Sequence, residues 1–341
     1  MTGARVLSAA LLLLCLFAPA FAARGAGAGE PGQAHRRLAA ELERLAATID
    51  GEVGVAAWPL DDPGHAVTLN ADRRFPMAST YKVAIAGAVL ARAGRGELRL
   101  PDMVPVPRPM YVPSDLIASG LPHDGVALSV HNLLELMLTR SDNTATDVLM
   151  ALAGGPQAVT AWVRAQGIDD LRVDRDTAGV LRDFFGLERD RPVGEALAAA
   201  AAADPALEQR GTRPYPPFDG DPRDTTTPRA MAMLLARLFS GEALDADDTK
   251  VLEDIMSRCR TCDARLRGRM PPGTPVADKS GTIGGTVNDV GVVTLPDGRR
   301  VVMAVFVARS AAPVPERERV IAEIARTVRD YFLFLGGGGA R

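Results

Sequence analysis

Ser79 and Lys82 stand one helical turn apart in the stretch Ser79-Thr80-Tyr81-Lys82. A helix puts such a pair on one face. A serine hydroxyl attacks poorly until a neighbour takes its proton. An amine carried by an apolar helix can be that neighbour, because lost solvation lowers its pKa. Residues 79–93 are apolar on all sides, which reads as a buried helix. Ser79 then sits at the helix start, where unpaired backbone N–H groups can hold an oxyanion. The chemistry implied is attack by a serine on an acyl group. The pair alone is weak, since a Ser and a Lys so spaced recur by chance in a chain of 341 residues.

Two further clusters add to it. Ser141-Asp142-Asn143 lies between two helical patterns, where side chains can turn into a cleft. By itself it is explained by capping, for which Ser, Asp and Asn are the preferred residues. Lys279-Ser280-Gly281-Thr282 ends a strand-like run. Lys279 and the Ser280 hydroxyl can hold a carboxylate, and Gly281 lets another backbone come close. The Thr282 N–H can join the Ser79 N–H as a second oxyanion donor. Alone, this is an ordinary polar strand end.

The elements that must position these residues follow from periodicity. Residues 33–49 carry Leu38, Leu42, Leu45 and Ile49 at helical spacing. Residues 53–59 and 66–70 read as strands, and 276–280, 287–295 and 299–308 as three more. The last two of these join at Pro296-Asp297-Gly298, a hairpin signal. Helical patterns cover 129–139, 143–152, 156–166, 245–257 and 315–335, with another starting at Thr227-Pro228. Residues 101–113 hold five prolines and read as a loop. The stretch 167–228 has an alanine-rich helical run at 196–203 and an irregular loop at 214–222. The expected fold is α+β: an antiparallel sheet flanked by helices from both chain ends, with an all-helical domain inserted. Residues 24–75 and 226–335 would form the sheet domain, 76–225 the helical one, and 336–341 a disordered tail.

The remaining signals bound the function. The formal charge is −3 with no Lys/Arg block, so nothing recruits nucleic acid. His35, His65, His123 and His131 are scattered without ligand spacing, and no Gly-Lys-Ser/Thr phosphate loop occurs. No metal or other cofactor is expected. Arg5, the apolar run 6–17 and the small residues Ala18, Ala20, Ala22 and Ala23 have the form of a cleaved secretory signal, residues 1–23. The apolar core is short for a membrane anchor, and no later segment is long enough to span. The mature chain is expected to be periplasmic or secreted, off the membrane, and monomeric. Cys259 and Cys262 then suit a small disulfide. Their spacing also occurs in redox and zinc motifs, but no second pair or nearby His supports zinc.

Together and in this order, the three clusters resemble those of the class A serine β-lactamases, and more broadly the penicillin-recognising serine hydrolases. Further stretches match: Phe75-Pro76-Met77-Ala78, Asn143-Thr144-Ala145, Asp263-Ala264-Arg265 and Val276-Ala277-Asp278. Arg223-Asp224-Thr225-Thr226-Thr227-Pro228 is similar to the exit of that family's Ω-loop. The likeness runs from about Gly51 to the C-terminus. It implies a β-lactamase/transpeptidase-like fold and a small β-lactam substrate. Ser79 would be acylated, Lys82 would help take its proton, and Ser141 would pass a proton to the lactam nitrogen. Asn143 would bind the substrate's amide side chain, and Lys279 and Ser280 its carboxylate. Asp224 would anchor the Ω-loop through an arginine, Arg182 or Arg210.

The likeness fails in the Ω-loop. The family's glutamate that activates the deacylating water has no counterpart in a Glu-x-x-Leu-Asn stretch. Counting back from Asp224 places Gly211 there. Glu208, Asp219 and Asp221 are substitutes, each read more simply as a solvated loop charge. The segment from Ser141 to Lys279 is longer than usual, mostly before Asp224. The Ser-Pro stretch that normally precedes the second cluster is missing, leaving Tyr111 as a candidate aromatic gate. Two other functions use the same residues: a penicillin sensor that deacylates slowly, and a peptidase acting on D-Ala-D-Ala.

Overall fold

The computed structural model describes residues 32–336. The expected leader, residues 1–23, lies outside them, as does the tail beyond Gly336.

Valine-rich runs, buried along almost their whole length, make a five-stranded antiparallel sheet. Its strands are β1 (Glu52–Pro59), β2 (Val67–Leu69), β3 (Val276–Ile283), β4 (Thr286–Thr294) and β5 (Arg300–Ala308), in the order β2-β1-β5-β4-β3. The first strand thus pairs with the last, from Glu52↔Ala308 to Pro59↔Val301. Successive side chains point to opposite faces, and the core divides accordingly. Val53, Val55, Ala57, Val301, Met303 and Val305 join one apolar cluster. Ala56, Trp58, Val302, Ala304 and Phe306 join the other. Both faces are therefore covered.

The first face is covered by α1 (Gln33–Ala46) and α10 (Val314–Gly336), which brings Leu38, Leu42, Ile321, Ile324 and Val328 onto it. Gly336, expected in the tail, is the last residue of α10. The second face meets a block made of α2 (Lys82–Gly94), α3 (Val130–Thr139), α4 (Asn143–Leu152) and α5 (Pro156–Ala165), while α6 (Thr177–Phe185) and α7 (Val193–Ala203) form two smaller apolar clusters of their own; α8 (Pro228–Phe239) and α9 (Ala246–Ser257) then rejoin the main core. Capping sets several starts: Ser129, Asp142, Asp176, Thr227 and Asp245 each accept an N–H three residues on. In α2 every residue from Lys82 to Leu90 is buried, as expected for a helix without a polar face.

The insert is not all-helical. Met103–Pro105 pairs with Ala127–Ser129, inside the proline run read as a loop. A two-stranded ladder tolerates proline because each strand keeps a free edge. Phe75–Pro76 pairs with Thr225–Thr226 where the chain enters and leaves the helical block. The stretch 214–222 also differs from expectation. Pro216–Asp219 forms a helical turn, with Pro at the first position and the Asp219 carboxylate accepting the Tyr215 N–H at 2.8 Å.

Candidate active site

Ser79 lies in a 3₁₀ turn, Ala78–Tyr81, that feeds directly into α2. The Lys82 N–H donates to the Ser79 carbonyl, so the two side chains share a face. Ala78 is held at φ 47°, a strained conformation for a residue with a side chain. The surroundings hold it there. Asn288 of β4 donates to the Pro76 and Met77 carbonyls at 2.9 and 3.0 Å, and the Met77 N–H donates to the Asp224 carbonyl at 3.1 Å. β3 runs alongside: a Cβ on Gly281 would lie 2.8 Å from the Met77 oxygen and 2.9 Å from the Ser79 nitrogen. Backbone is on both sides, so Gly281→Ala must displace the Ser79 turn. We expect kcat/KM to fall about 100-fold, the scale of a 1 Å misplacement. The check is steady-state kinetics on a variant shown to keep its melting transition.

Lys82 is buried, and its Nζ donates to the Ser141 carbonyl at 2.7 Å, the Asn143 Oδ1 at 2.9 Å and the Ser141 Oγ at 3.1 Å. Burial lowers its pKa to about 7, against the opposing pull of Asp142 and Asp147. Lys279 is equally buried and reaches the same Ser141 Oγ at 3.2 Å and the Ser280 carbonyl at 2.7 Å. Its pKa also falls well below that of a free lysine, first through burial and then through the Lys82 charge.

Ser141 therefore receives two amines from opposite walls. It stands at φ 57°, between α3 and α4. The capping role belongs to Asp142, whose carboxylate accepts the Ala145 and Ile117 N–H groups and the Ser114 hydroxyl. That leaves the flanking side chains free to turn inward. With both Oγ lone pairs facing lysine Nζ donors, the Ser141 proton points elsewhere. Asn143 donates to the Pro113 carbonyl at 2.8 Å, which fixes its amide orientation.

Ser79, Asn143 and Thr282 line one cleft of about 190 Å³, walled by Val180, Leu181, Phe185, Phe218 and Ile283. Ser280 and Thr282 are held from a third side: the Ser280 hydroxyl meets that of Thr261 at 2.6 Å, and Arg265 donates to the Thr282 Oγ1 at 2.6 Å. Tyr111 does not line this cleft; it lies in a separate groove with Pro113 and Ser114.

Asp224 pairs with Arg175, not with Arg182 or Arg210. The Arg175 Nε donates to Asp224 at 2.6 Å, and the N–H groups of Asp174 and Arg175 take the other oxygen. Arg182 instead donates to the Glu188 and Arg191 carbonyls, and Arg210 to that of Phe185. Gly211 lines the cleft, as counted, but so does Thr177, two residues past Arg175. The Thr177 hydroxyl meets the Tyr81 hydroxyl at 2.6 Å, and its N–H donates to Asp147 at 2.7 Å. Burial raises the Asp147 pKa to about 6, aided by Asp176 and opposed by the hydrogen bonds from Thr177.

The substitute carboxylates are engaged elsewhere. Asp219 accepts Tyr215, and Asp221 is paired with Arg175 and Arg223. The side chain of Glu208 lies outside the described residues. Among the described side chains of the cleft, Asp224 is the carboxylate, and both its oxygens are bound.

Cys259 and Cys262 form a disulfide. Asp278 lies beside them, with donor atoms of all three within 4.8 Å. The set is unsuited to a metal, since the sulfurs are bonded to each other and Arg267 holds Asp278 at 2.6 Å.

Sequence reasoning missed Arg175, Thr177, Thr261 and Asn288, and took Arg265 only as part of the stretch Asp263-Ala264-Arg265. Of these, Asn288 carries a signal, an amide beside Asp289 inside a valine-rich strand.

Residues 37–332 match a model of the β-lactamase enzyme family. The β-lactamase L2 of Stenotrophomonas maltophilia is 30% identical over 89% of this chain and 90% of its own. A β-lactamase of Streptomyces fradiae is 33% identical over 92% and 89%. The solved structure of an ancestral class A β-lactamase, also 33% identical, superposes with a TM-score of 0.71 over 86% of this chain and 99% of that one.

Proposed function

The chain belongs to the class A serine β-lactamase family, and we propose that it opens β-lactam amides through an acyl-enzyme on Ser79. The observation that carries this is the meeting of Lys82 and Lys279 on the Ser141 hydroxyl, within 3.2 Å, beside the cleft that holds Ser79.

In this reading the Lys82 amine, half neutral near pH 7, takes the Ser79 proton as the hydroxyl attacks the lactam carbonyl. The Ser79 and Thr282 N–H groups hold the oxyanion. Ser141 passes its proton to the departing lactam nitrogen and regains one from a neighbouring amine. Asn143 binds the amide side chain. The substrate carboxylate lies against Lys279 and Ser280, and its negative charge restores the ammonium form that burial opposes. Lys279→Ala should therefore raise KM about ten- to hundredfold, the range for a hydrogen bond to a charged group, with a smaller effect on kcat. Steady-state rates on a carboxylate-bearing cephalosporin measure the split.

The mature chain would be an exported monomer, in keeping with a buried disulfide, which persists in oxidising compartments.

A second reading is favoured by the bound state of Asp224 and the presence of Thr177 and Gly211 in the cleft: acylation without rapid deacylation. One experiment separates the two. Mixed with a chromogenic cephalosporin, the protein gives sustained colour if it turns over. A stoichiometric burst and a persistent adduct by intact mass mark the second reading. Neither colour nor adduct defeats both, and release of D-Ala from a peptide would point to a peptidase instead.

A further inference from the structure

Thr261 sits between the two bonded cysteines, in the short loop that follows α9. Both cysteines are buried while Thr261 is exposed at the rim. The loop is tied at a second point, where the Arg260 N–H donates to the Thr139 carbonyl at the end of α3 at 2.9 Å. The Thr261 hydroxyl lies 3.5 Å from the Cys259 sulfur and 2.6 Å from the Ser280 hydroxyl.

We propose that Thr261, held by the Cys259–Cys262 disulfide, is a positioning residue that aims the Ser280 proton at the substrate carboxylate. This rests on the reading of Ser280 as a carboxylate ligand. A serine hydroxyl has one proton, two lone pairs and a free rotor. In the 2.6 Å contact either hydroxyl can donate. An arriving carboxylate can only accept. The arrangement that serves all three groups has Thr261 donating to Ser280 and Ser280 donating to the carboxylate. An O–H whose oxygen already accepts a hydrogen bond is polarised to donate more strongly. Thr261 works only if its loop is fixed. The loop is exposed at this residue, and the disulfide limits its freedom at both flanks.

The test compares a chromogenic cephalosporin with its carboxylate methyl ester. For the free acid, Thr261→Val should raise KM about five- to tenfold, the worth of one hydrogen bond near 1–1.4 kcal/mol. kcat should change by less than about twofold, since the reacting bond is untouched. The ester should show no change in KM, and Thr261→Ser should restore the wild-type value. A Cys259→Ser/Cys262→Ser double variant should raise KM in the same sense, with little added when combined with Thr261→Val. An unchanged KM in Thr261→Val, or an equal effect on acid and ester, overturns the inference while leaving the Ser79 mechanism intact. A wild-type protein that neither turns over nor forms an adduct defeats the functional reading itself, and this one with it.

Discussion

Ser79→Ala should form no covalent adduct with a penicillin and should lose nearly all of its turnover. Alanine lacks the atom that makes the acyl bond, so the loss is absolute for labelling. Residual hydrolysis from the remaining donors and binding groups should lie at least about 1,000-fold below wild type. Structure should be little affected, because Ser79 is only half buried and its hydroxyl is not part of the core. Intact mass after incubation with penicillin decides the matter: an undiminished adduct on the variant would move the nucleophile elsewhere.

Lys82→Ala carries the second large effect. Positioned general bases contribute about 100- to 10,000-fold, and acylation should slow by that range. The pH profile gives a sharper check. At the ordinary lysine value of 10.5, about one amine in 3,000 would be neutral at pH 7; at about 7, half are. Only the neutral amine can accept the Ser79 proton, so the acylation rate should rise with pH through about 7 and then level off. Lys82→Arg should not rescue it, because a guanidinium stays protonated. Stopped-flow acylation between pH 5 and 9 measures both. A rate that is flat across pH 7 in the wild type would exclude Lys82 as the base.

Much of this was readable in the chain. The sheet strands showed as short valine-rich runs bounded by turn residues, and the capped helices through a period of 3.6. The Ser79, Ser141 and Lys279 clusters were visible because each joins reactive residue types to a structural boundary. What stayed hidden depends on the route of the chain in space. Arg175 and Asp224 meet across 49 positions, with no local pattern linking them. Counting back from Asp224 pointed to Gly211, yet helices α6 and α7 lie upstream of the counted span, and the route of the chain brings Thr177, at the start of α6, to the same cleft. Helix α6 itself had local signals, an Asp176 cap and a left-handed Gly186, but they stood in a stretch dominated by alanine and proline. Thr261 was legible only as the neighbour of a cysteine pair, and Arg265 only as part of the stretch Asp263-Ala264-Arg265; their bonds to Ser280 and Thr282 belong to tertiary structure.

The pairing of β1 with β5 joins residues some 250 positions apart, and β3 reaches the sheet only through β4 and β5. A ribosome therefore delivers the nucleophile early and its second amine late. Any chain released before residue 308 lacks the strand that docks the C-terminal hairpin against the first one. Contacts of such long range also close slowly. A half-made copy thus carries a serine with no pocket around it, and reactivity arrives only with the completed polypeptide.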